Sequence, residues 1–260
     1  MSEQISYKPL IEDMTWSFSR VESFCDCPYR WYLKYIRKFE DEDKFFATYG
    51  SFMHSLIERY YKGELTKDGM LLAFLRDFSK EVRGIRPPGA TLVNYIEDGK
   101  RFLQNFEPFE MNMVAVEKEV KFQIDGIPFV GYIDFLGERD GELYIIDHKS
   151  RNLKPRTSRK KPTLSDAELD EKLKQLYLYS EAIHNEFGKY PSYLCFNCFR
   201  EGVFIKEPFL ENAFQNAKAW AVSTIHEIEE ENIFTAEPEF FRCVYLCGVR
   251  DYCDRQGDFK

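Results

Sequence analysis

The sequence has no long hydrophobic run. None of its apolar stretches approaches the roughly 20 residues that a membrane-spanning helix needs, and the segment from Met1 to Leu10 does not have the pattern of a signal peptide. The sequence also has no internal repeat and no low-complexity linker. We therefore expect a cytoplasmic protein, of a bacterial, archaeal or phage-infected cell, that forms a single domain over residues 1–260.

The chain also has no excess of positive charge. Its 36 lysines and arginines are outnumbered by 44 aspartates and glutamates, which gives a formal net charge of -8. This balance argues against a protein that coats nucleic acid non-specifically, but it is compatible with an enzyme that needs local basic charge and a carboxylate-rich metal site. Seven cysteines without a secretory signal favour reduced thiols or metal ligands over disulfides.

Helical periodicity covers most of the N-terminal part. Apolar positions from Phe18 to Ile36 predict two short helices joined at Cys27-Pro28, because proline interrupts a helix. Ser51 is predicted as the N-cap of a helix from Phe52 to Lys62. A third helical region is predicted from Lys67 to Phe106, broken by Pro87-Pro88-Gly89.

The centre of the chain changes to the two-residue period of strands. Turn signals at Asp125-Gly126 and Asp140-Gly141 predict a three-stranded meander. The predicted strands are 114–124, 128–136, 142–149, 192–200 and 203–208, with helices at 165–187 and 211–231. The predicted fold class is α/β, a central mixed sheet flanked by helices. Its parts are a mainly helical region (1–110), the sheet core (111–210) and a helix with a cysteine-bearing tail (211–260).

Charged residues stand where two of these strands end. Asp147 and Lys149 are two apart and share a face, and Asp134 occupies the corresponding place on the preceding strand. Converging carboxylates repel unless a cation joins them, and oxygen ligands suit Mg²⁺ or Mn²⁺. Such a metal could activate a water and stabilise charge on a phosphate, with Lys149 beside it. The alternative is a surface ion pair between Asp134 and Lys149.

Three further residues fit the same site. His54, predicted one turn inside its helix, could join the carboxylates as a nitrogen ligand, although a lone histidine is more often structural. Gln175 and Tyr179 are four apart on one helix face and could hold a phosphate or the substrate strand. The alternative for this pair is an ordinary amphipathic helix.

Five motifs in order resemble the RecB-like branch of the PD-(D/E)XK nuclease superfamily. They are an opening helix signature from Ser17 to Leu33, Gly50-Ser51-Phe52-Met53-His54, Gly131-Tyr132-Ile133-Asp134, Ile146-Asp147-His148-Lys149, and Gln175 to Tyr179. This resemblance implies that His54, Asp134 and Asp147 bind the metal, with the backbone carbonyl of His148 as a further ligand. It also implies that Lys149 is the catalytic lysine and that Gln175 and Tyr179 support the substrate.

Some nucleases of this branch hold a [4Fe–4S] cluster with one N-terminal cysteine and a C-terminal trio. The resemblance implies Cys27, Cys243, Cys247 and Cys253 as its ligands. The trio here has C-x₃-C-x₅-C spacing, whereas C-x₂-C-x₅-C is usual. The alternatives are cysteines that only pack, or a zinc site. Cys195 and Cys198 lie in an apolar strand and are predicted to be core residues.

A basic segment follows the third strand and contains Arg151, Lys154, Arg156, Arg159, Lys160 and Lys161. It is either a solvated loop or a contact for phosphates beside the scissile bond. The leading hypothesis is therefore a metal-dependent nuclease, exo or endo, that acts on single- or double-stranded DNA in recombination, repair or phage DNA processing. The alternatives are DNA trimming in CRISPR adaptation, with protein partners in either pathway, or a non-catalytic DNA-binding or assembly subunit.

Overall fold

Proline and a capping serine set the limits of the first helices. The computed structural model describes residues 6–255. Helix α1 (Phe18–Asp26) begins after Ser17, whose hydroxyl accepts a hydrogen bond from the Arg20 backbone N–H at 3.3 Å. Helix α2 (Pro28–Trp31) starts at the proline and continues into a π-helical turn (Tyr32–Ile36). The predicted break at Cys27-Pro28 is confirmed.

Three longer helices follow: α3 (Phe45–Tyr61), α4 (Lys67–Glu81) and α5 (Gly89–Gln104). The predicted break at the two prolines is confirmed, but the predicted start after Ser51 is wrong. Gly50 and Ser51 lie inside α3, because its buried apolar face continues through them from Phe45 and Tyr49 to Phe52 and beyond. Burial of that face outweighs the roughly 1 kcal/mol that an interior glycine costs a helix. His54 therefore lies mid-helix.

A five-stranded mixed sheet forms the centre of the molecule. Its strands are β1 (Asn112–Ile124), β2 (Ile127–Arg139), β3 (Glu142–Lys149), β4 (Tyr193–Cys198) and β5 (Val203–Pro208), and they lie in sequence order. β3 and β4 are parallel, and the other neighbours are antiparallel. Both turns of the meander have positive φ angles at Asp-Gly, as two-residue hairpins require. The α/β class is confirmed.

Helices pack over one face of the sheet and against one end of it. Helices α6 (Leu164–Phe187) and α7 (Glu211–Glu230) pack with α1 over one face, where Ile145, Leu176 and Ile225 belong to the main core. Helices α3 to α5 form a second apolar cluster at the end of the sheet. Cys195 and Cys198 are fully buried, as predicted. The parallel β3–β4 pair is joined through α6, which places this helix directly over the end of β3.

The C-terminal tail returns to the N-terminal helices. The Tyr29 hydroxyl donates to the Asp254 carboxylate at 2.7 Å, and the rings of Phe39 and Tyr252 stack with centroids 4.2 Å apart. All seven cysteines are free thiols in this structure.

Two predictions concern the limits of the chain. Among residues 6–255 no helix is both long and apolar enough to cross a membrane. The segment from Met1 to Leu10, predicted not to be a signal peptide, falls partly outside the described residues. The division into a single domain over 1–260 stays a prediction.

Candidate active site

The end of the β2–β3 pair brings two aspartates together. Phe135 pairs with Ile146 in the antiparallel register, so Asp134 and Asp147 are the next residues on each strand and face each other across the pair. Both are almost fully buried, with 7% and 4% of their surface exposed. The predicted convergence of the two carboxylates is what the register produces.

A histidine and a glutamate form a compact group of ligand atoms with Asp134. His54 on α3, Glu117 on β1 and Asp134 each offer one atom, and the three atoms lie within 4.8 Å of one another. The His54 Nδ1 is 3.4 Å from the Asp134 Oδ2 and 3.9 Å from the Glu117 Oε1. Nitrogen and oxygen donors at this spacing can surround one divalent cation.

The hydrogen bonds of His54 orient its ring toward these carboxylates. Its Nε2 lies 2.9 Å from the backbone carbonyl of His148 and donates to it in the neutral ring. Burial lowers the pKa of His54, which keeps the ring neutral at pH 7. The Nδ1 lone pair then faces two carboxylates, an arrangement that a bound cation would relieve.

The carboxyl groups of the site are held where their charged forms are unfavourable without a cation. Burial and the nearby Asp147 raise the pKa of Asp134 well above its usual range, despite the hydrogen bond that its Oδ2 accepts from the His148 N–H at 2.6 Å. Burial and then the Asp134 charge raise the pKa of Glu117 to about 7. Carboxylates held in this way are typical of a site for a cation.

Lys149 connects the second aspartate to helix α6. Its Nζ forms an ion pair with the Asp147 Oδ2 at 2.8 Å and donates a hydrogen bond to the Gln175 Oε1 at 3.0 Å. The Asp147 Oδ2 is buried and accepts no hydrogen bond. The Gln175 amide donates to the Tyr179 hydroxyl at 3.3 Å. The alternative of a surface ion pair between Asp134 and Lys149 is wrong, because Asp134 is buried and Lys149 pairs with Asp147.

The backbone between Asp147 and Lys149 is held in place by the contacts of His148. The ring of His148 is buried, and burial holds its pKa well below the usual range. The Asn197 amide lies 3.0 Å from its Nδ1 and donates to it. With the ring, the N–H and the carbonyl of His148 all in contact with neighbours, the end of β3 has one defined position.

Glu117 is a site residue that the sequence did not reveal. It lies on the polar face of an alternating strand, where a glutamate is unremarkable. Two pairs that flank it, Val116–Phe135 and Lys118–Ile133, place it opposite Asp134. Its φ angle of 45° lies in the left-handed region, which non-glycine residues seldom adopt within a strand. Only the strand register could have identified it.

Four of the cysteines lie around one cavity between the two ends of the chain. Cys27, Cys243, Cys247 and Cys253 line it together with four arginines, namely Arg30, Arg242, Arg250 and Arg255. Cys247 is buried against Leu33 and Val249, and burial raises its pKa. Among the described residues, no three of these sulfur atoms lie within 4.8 Å of one another. Cys25 lies outside the cavity lining.

The basic segment divides into paired and unpaired charges. Arg151 contacts Glu168, and Arg156 contacts both Asp170 and Glu207. Lys154, Arg159, Lys160 and Lys161 are exposed and form no ion pair within residues 6–255. Of the charges in this segment, these four are free to meet an anionic ligand.

Comparisons with known proteins agree with the fold. A model of the PD-(D/E)XK nuclease superfamily matches residues 15–254, a range that contains every candidate site residue. Among solved structures, a "Putative exonuclease" from Eubacterium rectale is similar with a TM-score of 0.55 and 15% sequence identity. That match covers 97% of this chain and 92% of that chain, and at this identity it shows the fold. None of the curated proteins compared with the chain matches it.

Proposed function

The chain belongs to the PD-(D/E)XK nuclease superfamily, and from this premise we propose that it is a deoxyribonuclease that hydrolyses phosphodiester bonds with Mg²⁺ or Mn²⁺. The observation that carries the proposal is the convergence of His54, Glu117 and Asp134 beside Asp147 and Lys149. A buried group of carboxylates is costly without a cation.

The residues divide into a metal-binding set and a phosphate-binding set. His54, Glu117, Asp134 and Asp147 would hold the metal, and the carbonyl of His148 has a second lone pair for it. When bound, the metal would activate a water and stabilise the charge on the phosphate.

Lys149 belongs to the phosphate-binding set. Its ammonium is held between Asp147 and Gln175, where it can orient the nucleophile or donate to a phosphate oxygen. Tyr179 accepts a hydrogen bond from Gln175, and the exposed charges of the basic segment would contact the flanking phosphates.

We also propose that Cys27, Cys243, Cys247 and Cys253 hold a [4Fe–4S] cluster. Four thiolates are the usual ligands of such a cluster, and the surrounding arginines would balance its negative charge. A tetrahedral zinc ion with Zn–S bonds of about 2.3 Å would hold the sulfurs about 3.8 Å apart. Among the described residues, no three of the four sulfurs lie that close together. The pathway in which the enzyme acts, whether recombination, repair, phage DNA processing or CRISPR adaptation, stays a prediction.

The deciding experiment is cleavage of end-labelled single- and double-stranded DNA with Mg²⁺, Mn²⁺ or EDTA. We expect cleavage with metal and none with EDTA. Asp134→Ala and Asp147→Ala should lose nearly all of it, since each removes a ligand of the metal that activates the water. Lys149→Ala should lose turnover and keep DNA binding.

The matched control is Asp140→Asn, in the exposed turn of the same hairpin, which should cleave like the wild type. Near wild-type cleavage by either alanine variant at saturating metal would show that the site is wrongly assigned. Absence of cleavage by the wild type on every substrate would contradict the proposed activity.

A further inference from the structure

A groove lined by aromatic rings opens beside the end of β3, on the side of His148. We call it the aromatic groove and define it by Phe102, Phe109, Phe204, Asn197, Arg200 and Glu201. Phe204, on edge strand β5, is 43% exposed, and its ring centroid is 5.7 Å from that of Phe109. None of these residues belongs to the metal-binding or phosphate-binding set.

The groove is coupled to the proposed active site by direct contacts. Asn197 donates to the His148 ring, and the Phe109 ring stacks on that ring with an interplanar angle of 11°. An Arg200 guanidinium N–H donates to the Ser150 carbonyl at 3.2 Å. His148 and Ser150 are the two neighbours of Lys149 in the sequence. The groove therefore lies one side chain away from the strand end that would meet the scissile phosphate.

The chemistry of the groove fits a neutral planar ligand. Arg200 is offset by Asp98 at 2.8 Å and by Glu201 at 3.9 Å, so the groove lacks the net positive charge that would favour a phosphate. Proteins hold unpaired bases by stacking them on exposed aromatic faces, and the ring of Phe204 offers such a face.

We propose that the aromatic groove binds an unpaired nucleobase of the strand being cut, within one or two nucleotides of the scissile phosphate. This inference rests on the proposed nuclease function and adds the substrate class. A base can enter the groove only when it is free of its partner strand, so the enzyme would act on single-stranded DNA or on frayed duplex ends. Phe204 would stack on the base.

The test combines a protein substitution with removal of one base. Binding of a labelled 12-nucleotide oligo-dT is measured with Ca²⁺ in place of Mg²⁺, and one abasic residue is moved through the oligonucleotide. Phe204→Ala should weaken binding of the intact strand by roughly 5- to 100-fold, the range of one base–aromatic stack. When the abasic residue is at one particular position, the affinity of the wild type should fall by a similar factor. The affinity of Phe204→Ala should fall little when the same base is removed.

Control variants separate stacking from folding. Phe204→Trp should bind like the wild type, Phe204→Leu like the alanine variant, and all three should melt within a few degrees of the wild type. Phe187→Ala, at the exposed end of α6, should bind normally. The base site would be overturned if, at every abasic position, the effects of the Phe204→Ala substitution and of base removal were additive. Equal binding by Phe204→Leu and Phe204→Trp would also overturn it.

The same proteins are assayed with Mg²⁺ on single- and double-stranded DNA, so that the two proposals can fail separately. Metal-dependent cleavage together with additive binding losses would retain the nuclease and reject the base site. Non-additive losses without cleavage at any metal would retain the base site and reject the activity.

Discussion

At the residue scale, the site is a set of charges that the metal-free protein does not balance. Glu117, Asp134 and Asp147 share a buried space with one lysine and a neutral histidine. The strained backbone of Glu117 is maintained by its pairing with β2 on both sides. Affinity for a cation is thus already present in the folded protein, at the expense of stability when no cation is bound.

This imbalance predicts how stability depends on pH without metal. The pKa of Glu117 is about 7 in the folded protein and 4.5 for a free side chain, so its proton stabilises the folded state below about pH 4.5 and that contribution is lost as the pH rises to 7. In EDTA, the Tm of the wild type should fall as the pH rises through this range, and the Tm of Glu117→Gln should fall less.

Addition of Mg²⁺ should restore most of the lost Tm of the wild type and less of the variant, because binding to the folded state stabilises it. Asp140→Asn should follow the wild type in all conditions. A metal-free Tm that falls equally in the wild type and Glu117→Gln would show that Glu117 is not part of the buried charge cluster.

The site also requires a glycine at position 131, for a steric reason. A methyl group at this position would lie 2.2 Å from the Tyr179 Cε1, so the tyrosine ring occupies the space of a side chain on β2. Gly131→Ala should displace Tyr179, release Gln175 and misplace Lys149. We expect a loss of roughly 1–3 kcal/mol in stability, typical of overpacking, and a clear drop in cleavage rate.

Two further variants check that explanation. Tyr179→Leu in the Gly131→Ala background should recover stability without recovering activity, because it removes the ring that the new methyl group meets. Gly50→Ala, whose added carbon would approach only Ser150 at 3.7 Å, should melt at or above the wild-type Tm. A fully active Gly131→Ala would mean that the position of Tyr179 does not matter for catalysis.

At the element scale, much of the architecture could be predicted from the sequence. The turn signals at Asp125-Gly126 and Asp140-Gly141 correctly predicted the meander, and β3 has the predicted bounds. The start of α3 was wrong because local capping preference at Ser51 was weaker than a buried apolar face that began at Phe45. Glu117 was missed because it joins the site through strand pairing, which no local pattern in β1 reveals.

The basic segment is the element whose role depends on which of its charges are free. Replacement of Lys154, Arg159, Lys160 and Lys161 by glutamine should weaken DNA binding and flatten its salt dependence. The slope of log K against log salt should change by about 0.9 for each duplex phosphate that the variant no longer neutralises, or by about 0.7 on single strands. Binding is measured by fluorescence anisotropy from low to high salt.

Arg156→Gln is the matched control, because its charge is already paired with Asp170 and Glu207. It should lower stability slightly and leave the salt slope unchanged. An unchanged slope in the fourfold variant would identify the segment as a solvated loop.

At the scale of the whole molecule, the two ends of the chain meet. Contacts such as Tyr29 with Asp254 and Phe39 with Tyr252 hold the tail against the N-terminal helices around the cysteine cavity. The sequence suggested these four cysteines only through family resemblance, because no periodic pattern relates position 27 to position 243. The extra residue in the C-x₃-C spacing does not prevent Cys243 and Cys247 from lining the same cavity.

The last prediction follows from that closure. If Cys27, Cys243, Cys247 and Cys253 hold a [4Fe–4S] cluster, protein purified without oxygen should be brown and contain about four iron and four sulfide per chain. The cluster would stabilise the fold by closing a loop over most of the chain, which reduces the entropy of the unfolded state. Cys253→Ser should therefore lose iron and several degrees of Tm while cleavage per folded molecule changes little. Cys25→Ser, outside the cavity, should keep both iron and Tm. Colourless, iron-free anaerobic protein with a normal Tm would rule the cluster out, and one zinc per chain would mean that the same cysteines bind a single ion.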